Sequence, residues 1–226
     1  MLKIPEPARR LAVATLTPIK FARETGHFRS SLRAQAETAD GAALPWYTFP
    51  AIDYLSTLDF SGCRVCEFGS GQSTLWWVDR AESVMAIESD AQWYQKVSGS
   101  LSGRANLEYH LVEDPAEYVQ KPLGREFDVV VVDGAERVRS AESALEIVAE
   151  DGLVIVDNSE AHWGPPPGYP IIDACNEAGL ARVDFHGFAA GVYRQQCTSL
   201  FFGRIDRLVR LPPPQRKYDP AARRPR

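Results

Sequence analysis

The sequence predicts an α/β protein: a doubly wound, seven-stranded, mostly parallel sheet with a C-terminal antiparallel hairpin and an N-terminal helical cap. Three observations predict it. From residue 63 onward, short apolar runs alternate with amphipathic stretches of helical length, and strands separated by helices require right-handed crossovers and parallel pairing. The last two strand-like runs, Ala181 to His186 and Thr198 to Phe202, are joined by too few residues for a crossover helix, so that pair must be antiparallel. Finally, 226 residues, 45% of them hydrophobic and 24% charged, suffice for one domain with a sizeable core.

Residues 1–60 break the alternation and read as two or three helices and a loop (Gly41 to Pro45), packed as a cap. Residues 61–204 form the body. Cys63 to Phe68 is a short apolar run ending at Gly69, a buried strand. Ser73 to Arg80 reads as a helix opened by a Ser/Thr cap. Ser83 to Ile87 is the second strand. Ala91 to Leu101 is a helix, with Trp93, Val97 and Leu101 spaced by four on one face. Leu107 to Val112 is the third strand, and Pro115 to Gln120 a helix with proline in its first turn. Phe127 to Val132 is dominated by valine and reads as a central strand covered on both faces. Arg137 to Glu150 is a helix with Ala144, Ile147 and Val148 on its apolar side, Leu153 to Val156 the fifth strand, and Tyr169 to Ala178 a helix. Residues 205–226 form a basic, proline-rich tail containing Pro212-Pro213-Pro214.

The net charge of −5 is unevenly spread. Residues 1–39 carry a net of +4, residues 40–203 a net of −15, and residues 204–226 a net of +6. An acidic body is a poor platform for a phosphate backbone, which argues against nucleic acid as a partner. The basic ends read as solvated tails rather than as a contact for an anionic partner or membrane surface. No apolar run is long enough to span a bilayer, no signal peptide is read, and four cysteines in a chain this long do not make a disulfide scaffold. The expectation is a reduced, cytoplasmic protein. Cys63 and Cys66 lie three apart in one strand and so face opposite sides. That spacing suits buried core thiols better than a metal or redox pair.

Chemistry in an open α/β sheet lies beyond the carboxyl ends of its strands. Glu67-Phe68-Gly69-Ser70-Gly71-Gln72-Ser73-Thr74 follows the first strand, and its two glycines allow a tight turn and close approach to a ligand. Glu88 follows the second strand, placed to accept both hydroxyls of a ribose. Asp114 follows the third, placed to accept from an adenine amino group, with Glu113 an equal candidate. Asp133 follows the fourth, and Asp157-Asn158 the fifth. Each acid alone is also a plausible helix cap; the joint placement at five strand ends is what points to a site.

On these residues, over about 44–203, the chain resembles a class I S-adenosylmethionine-dependent methyltransferase. The specific parts are Glu67-x-Gly69-x-Gly71, Glu88, Val129 to Asp133, and Gly152 to Asn158. Pro45-Trp46-Tyr47-Thr48, leading into the glycine loop, also resembles a bacterial methyltransferase-like group. The resemblance implies S-adenosylmethionine as cofactor. Glu67 and Gly69 would line its methionine end, and Gly71 would leave room for it. Ser73 stands where a third glycine often sits, Glu88 would hold the ribose, and Asp114 or Glu113 the adenine. Ser70 and Asp133 complete the implied cofactor set. The rival is a nicotinamide-binding dehydrogenase. Against it, the third glycine of Gly-x-Gly-x-x-Gly falls at Thr74, Glu67 suits a cationic cofactor end, and the last strands pair as a hairpin.

The implied reaction is an in-line displacement that moves a methyl group to an acceptor, read as a hydroxyl of a small molecule or glycan. For a hydroxyl the protein must help remove a proton. Asp133, Asp157 and His162 are the catalytic candidates, with Asn158 beside them. Asp133, Asp157 and Asn158 also resemble the ligand set of catechol-type O-methyltransferases, which use a divalent cation such as Mg²⁺. However, the basic residue near Asp133 in that group is not matched by Gly134-Ala135-Glu136, and no residue is assigned as a metal ligand. The alternatives are an inactive methyltransferase-like binding subunit and a peripheral membrane protein recruited by its basic ends. Self-association is open. His27 and His110 read as structural, and His186 as lying at the rim or the sheet edge. Trp76-Trp77 and Trp93-Tyr94 read as core. Trp46, Tyr47 and Phe49 read as a seam between cap and core rather than as the wall of an acceptor pocket.

Overall fold

The computed structural model describes residues 5–161 and 169–204. His162, the Pro165-Pro166-Pro167-Gly168 stretch and the tail from 205 lie outside the described residues. The chain runs α1 (Glu6–Glu24), α2 (His27–Arg33), α3 (Phe49–Leu55), β1 (Arg64–Phe68), α4 (Gln72–Val78), β2 (Ser83–Glu88), α5 (Ala91–Leu101) and β3 (Leu107–Leu111). It continues through α6 (Pro115–Gln120), β4 (Phe127–Val132), α7 (Arg137–Ile147), β5 (Val148–Asp157), α8 (Pro170–Glu177), β6 (Ala181–Phe188) and β7 (Gln195–Phe202). The sheet order is β3-β2-β1-β4-β5-β7-β6. The pairs among β1 to β5 are parallel, and β7 runs antiparallel to both β5 and β6. The order reverses between β1 and β4, so the crevice for ligands opens above those two strands.

Alternation along the strands builds two cores. Val65, Val84, Val129, Val131, Leu153 and Ile155 face one layer with Trp76 and Trp77. Cys66, Met85, Val130, Val132, Val154 and Val156 face the other, with α7 and α8 behind them. Cys63 lies in the first layer and Cys66 in the second, so the two thiols are insulated from each other. All four cysteines are free and buried, and burial pushes the Cys66 thiol well up. β4 is buried at every position, as its valine run requires.

Several element ends differ from the sequence expectation. α4 starts one residue early, at Gln72, and its cap is not the side chain of a preceding Ser or Thr. Instead Thr74, inside the helix, reaches back so that its Oγ1 accepts the Gly71 N–H at 3.0 Å. α7 ends at Ile147 rather than Glu150, because Val148 already pairs with Phe127 as the start of β5. The β6–β7 hairpin is longer than its apolar core. It pairs from Ala181↔Phe202 down to Phe188↔Gln195, polar residues included. Hydrophobicity marks the buried part of a strand, whereas backbone pairing continues past it.

The N-terminal region divides in two. Ala36, Leu44, Tyr47, Ala51, Ile52 and Leu55 belong to the same apolar layer as β1 and β4. By contrast, α1 buries no residue, and Leu11, Leu16 and Ile19 are exposed along it. The segment between α2 and α3 is fastened to the hairpin turn: Trp46 Nε1 donates to Ala190 O at 3.0 Å, and Thr48 pairs with Ala189. Among the described residues, no helix is long and apolar enough to cross a membrane.

Candidate functional site

Strand parity assembles the site. Glu67 on β1, Glu88 on β2, Asp133 after β4 and Asp157 at the end of β5 all continue the alternation of the layer that holds Val65, Val84, Val131 and Ile155. Four carboxylates from four adjacent strands therefore reach one face of the sheet at its carboxyl end. Above them lies a cavity of about 380 Å³. Its walls include Gly69, Ser70, Glu88, Asp133, Asp157 and Asn158, with Trp46 and Trp93 closing one side and Val192 and Gln196 another.

The floor depends on two glycines. Gly69 has φ +109°, and a Cβ there would stand 3.0 Å from the backbone of Gly134. A Cβ on Gly134 would overlap the Tyr118 hydroxyl and come within 2.7 Å of Gly69 N. The loops after β1 and β4 thus touch backbone to backbone, which no side chain permits. Gly69 N also donates to Ile87 O at 2.8 Å, and Asp133 N to Phe68 O at 3.0 Å, tying three strand tips together.

Glu88 is buried and held on all sides. Its Oε1 accepts the N–H groups of Ser89 and Asp90 at 2.8 and 2.9 Å, and its Oε2 accepts the Ser70 hydroxyl at 2.6 Å. Ser70 Oγ lies 2.8 Å from the Tyr109 hydroxyl. Because Ser70 spends its one proton on Glu88, Tyr109 is the donor of that pair. Tyr109 stacks on Tyr94 with centroids 4.3 Å apart. Trp93 donates its indole N–H to Ser70 O at 2.9 Å. Trp76 and Trp77 are core, as expected. Trp93 is not; it is half-buried and faces the cavity, and Trp46 joins it there.

Glu67 lies deeper, fully buried behind the glycine loop. Thr74 Oγ1 donates to its Oε2 at 2.5 Å, while Oε1 has no hydrogen-bond partner. Burial pushes its pKa from the ordinary 4.5 up to about 8. Hydrogen bonds from Ser73 and Thr74 oppose that shift, and the charges of Asp133 and Glu88 add to it. At neutral pH this carboxyl holds a proton. The raised folded-state pKa stabilises the fold fully below about pH 4.5, and the contribution is lost as pH rises through about 8. Glu67→Gln is therefore expected to flatten the fall of melting temperature between about pH 5 and about pH 9. Parallel wild-type and variant melting curves would remove Glu67 as the cause.

Asp133 and Asp157 form a coupled pair divided by Arg137. The Arg137 Nη2 donates to Asp133 Oδ1 at 2.9 Å and to Asp133 O at 3.1 Å, and its Nη1 donates to Asp157 O at 2.5 Å. Burial raises both acids, but the guanidinium opposes the rise at Asp133. Burial and the Asp133 charge raise Asp157 as well, while the Thr198 hydroxyl and Arg137 oppose that rise. Its Oδ1 accepts the Thr198 hydroxyl at 2.7 Å, and that hydroxyl is oriented by the Thr48 N–H at 2.9 Å. Arg137 and Thr198 were not singled out for the site by the sequence, Trp93 was read as core, and Trp46 was weighed as a pocket wall but read as a seam. Of the first two, only Arg137 carried a signal, standing four residues after Asp133 at the start of a helix.

Other expected site residues are placed elsewhere. Asp114 is exposed and caps α6, its Oδ1 accepting from Ala116 N and Glu117 N, both at 2.9 Å; neither it nor Glu113 lines the cavity. Ser73 is buried against Glu67. Gly71 borders a second cleft rather than the main cavity. His186 lies within β6, its Nε2 3.9 Å from Cys197 Sγ. His27 docks α2 on the hairpin turn, its Nδ1 3.2 Å from Ala189 O. The catechol-type ligand set is not supported: Asp133 is taken by Arg137 and Asp157 by Thr198. Among the described residues, no group of three or more His, Cys, Asp or Glu is placed to hold a metal.

No family model matches the chain, and no curated protein does. Solved structures do. Fibrillarin of Aeropyrum pernix, solved with S-adenosyl-L-methionine bound, superposes with a TM-score of 0.50 at 14% identity, over 63% of this chain and 67% of that one. A spermidine synthase bound to the transition-state analogue AdoDATO gives 0.50 at 16% identity, over 71% of this chain and 61% of the synthase. An O-methyltransferase family protein from Burkholderia thailandensis gives 0.46 at 16% identity, over 69% and 55%. The chain spans less than two thirds of the last two proteins. It has the Rossmann-like fold of the class I S-adenosylmethionine-dependent methyltransferases.

Proposed function

We propose that this protein is an S-adenosylmethionine-dependent methyltransferase acting on a hydroxyl of a small molecule or glycan. The observation that carries the reading is the gathering of Glu88, Asp133 and Asp157 around one cavity above the glycine floor, with Glu67 buried beneath it. Such a field favours a ligand with cationic sulfonium and ammonium groups and opposes a pyrophosphate, which sets a nicotinamide cofactor aside. The fit is supported by the cavity of about 380 Å³ above the Gly69 and Gly134 loops and by the buried, unpaired Oε1 of Glu67 beneath them.

The bound donor supplies an electrophilic methyl group; the rest falls to this chain. Glu88, fixed by Ser70 and two backbone N–H groups, presents its carboxylate to the ribose hydroxyls. Ser70, Gly69 and Asp133 border the donor, and Gly71 and Ser73 shape the loop. Asp157 takes the proton of the acceptor hydroxyl as its oxygen gains the methyl group and the sulfonium leaves as a neutral thioether, since a carboxylate whose proton affinity is raised by burial is the better base. Asp133, neutralised by Arg137, keeps the two acids apart in proton affinity. The fold does not fix the acceptor, as the spermidine synthase of the same fold makes plain. Nucleic acid is opposed by the net charge of the body and is one arm of the test.

The test is calorimetry with S-adenosylhomocysteine. Micromolar binding is expected, with at least a roughly tenfold loss in Glu88→Ala, about 1.4 kcal/mol. Tight NAD binding without S-adenosylhomocysteine binding would overturn the reading. Turnover on a panel of hydroxyl metabolites, glycans and RNA then separates an enzyme from an inactive binding subunit.

A further inference from the structure

Beside the main cavity lies a second cleft of about 210 Å³, and Trp46 and Trp93 wall both. The two indoles stand with ring centroids 6.5 Å apart. The cleft is built from the end of α2, the start of α4 and one face of α5. Its polar lining is Arg33, Gln35, Gln72, Lys96 and Ser100. No acidic side chain lines it among the described residues, although the surrounding body carries a net of −15. Lys96 Nζ sits 4.5 Å above the Trp93 ring, and Arg33 Nη1 is 4.0 Å from Glu37 Oε1. Glu37 is more closely held by Arg29, so Arg33 keeps its charge available to the cleft.

From this juxtaposition we propose that the methyl acceptor is an anion whose carboxylate or phosphate is held by Arg33 and Lys96 while its body lies along the shared wall of Trp46 and Trp93 toward the main cavity. Two cations and the side-chain amides of Gln35 and Gln72 line a space large enough for such a group. The shared aromatic wall gives a planar or ring-shaped body a surface to lie against. The acceptor's hydroxyl end then reaches the main cavity, where Glu88, Asp133 and Asp157 stand. The proposal rests on the methyltransferase reading and narrows its substrate class.

The test uses inorganic phosphate as probe, followed by tryptophan fluorescence, alongside calorimetry with S-adenosylhomocysteine. Wild type is expected to give a saturable phosphate response. Arg33→Gln/Lys96→Gln is expected to weaken it at least tenfold and leave S-adenosylhomocysteine affinity within twofold. A phosphate response that is absent in wild type, or unchanged in the double variant, overturns the proposal. A tenfold loss of S-adenosylhomocysteine affinity in the double variant also overturns it, since the cleft would then hold the donor's own carboxylate. If wild type binds no S-adenosylhomocysteine, the methyltransferase reading fails, while a phosphate response lost in the double variant still supports the anion cleft.

Discussion

Asp157→Asn is expected to slow methyl transfer to a hydroxyl acceptor by about 100-fold or more, the lower range of general-base contributions. S-adenosylhomocysteine affinity should stay within a fewfold. The asparagine keeps the shape of the side chain and can still accept from Thr198, but it cannot take a proton. Because burial and the Asp133 charge raise Asp157, the wild-type rate should rise with pH until that group ionises. The variant should lose this rise. Both are read by following S-adenosylhomocysteine release on the first hydroxyl substrate that the panel identifies. A variant with the wild-type rate and pH profile would remove Asp157 from the chemistry.

Gly134→Ala is expected to abolish S-adenosylhomocysteine binding and to destabilise the fold by about 1–3 kcal/mol, the usual cost of overpacking. The added methyl has no free direction, since it meets the Tyr118 hydroxyl on one side and the Gly69 backbone on the other. Gly134→Ala/Tyr118→Phe separates the two effects. Removing the hydroxyl should restore part of the melting temperature, while the contact with Gly69 persists and binding stays lost. Full recovery of binding in the double variant would show that the close approach of the two loops is not what shapes the floor.

The sheet was legible because its signals are local and redundant. Val129 to Val132 read as a strand buried on both faces, and Pro115 marked a helix start. Strand-end acids were visible one by one, and an acid that caps a helix looks the same in sequence as one that meets a ligand. Asp114 is the instance: its side chain serves the first turn of α6. Trp93 reads as core because it is spaced with Val97 and Leu101. It faces the cavity because α5 lies at the crevice edge, a tertiary fact that periodicity does not encode. Thr198 and Arg137 contribute through contacts with residues 41 and 20 positions away. Such pairings appear only when β7 and the start of α7 are set against the end of β5.

The shared parity of the four acids also disciplines folding. Sliding β1, β4 or β5 by one residue would thrust a carboxylate into the layer of Phe68, Tyr118 and Val156, where an unpaired charge is prohibitively costly. The groups that would do the chemistry thereby act as proofreaders of strand registry, since a slip that misaligns them is penalised by their burial on the apolar side.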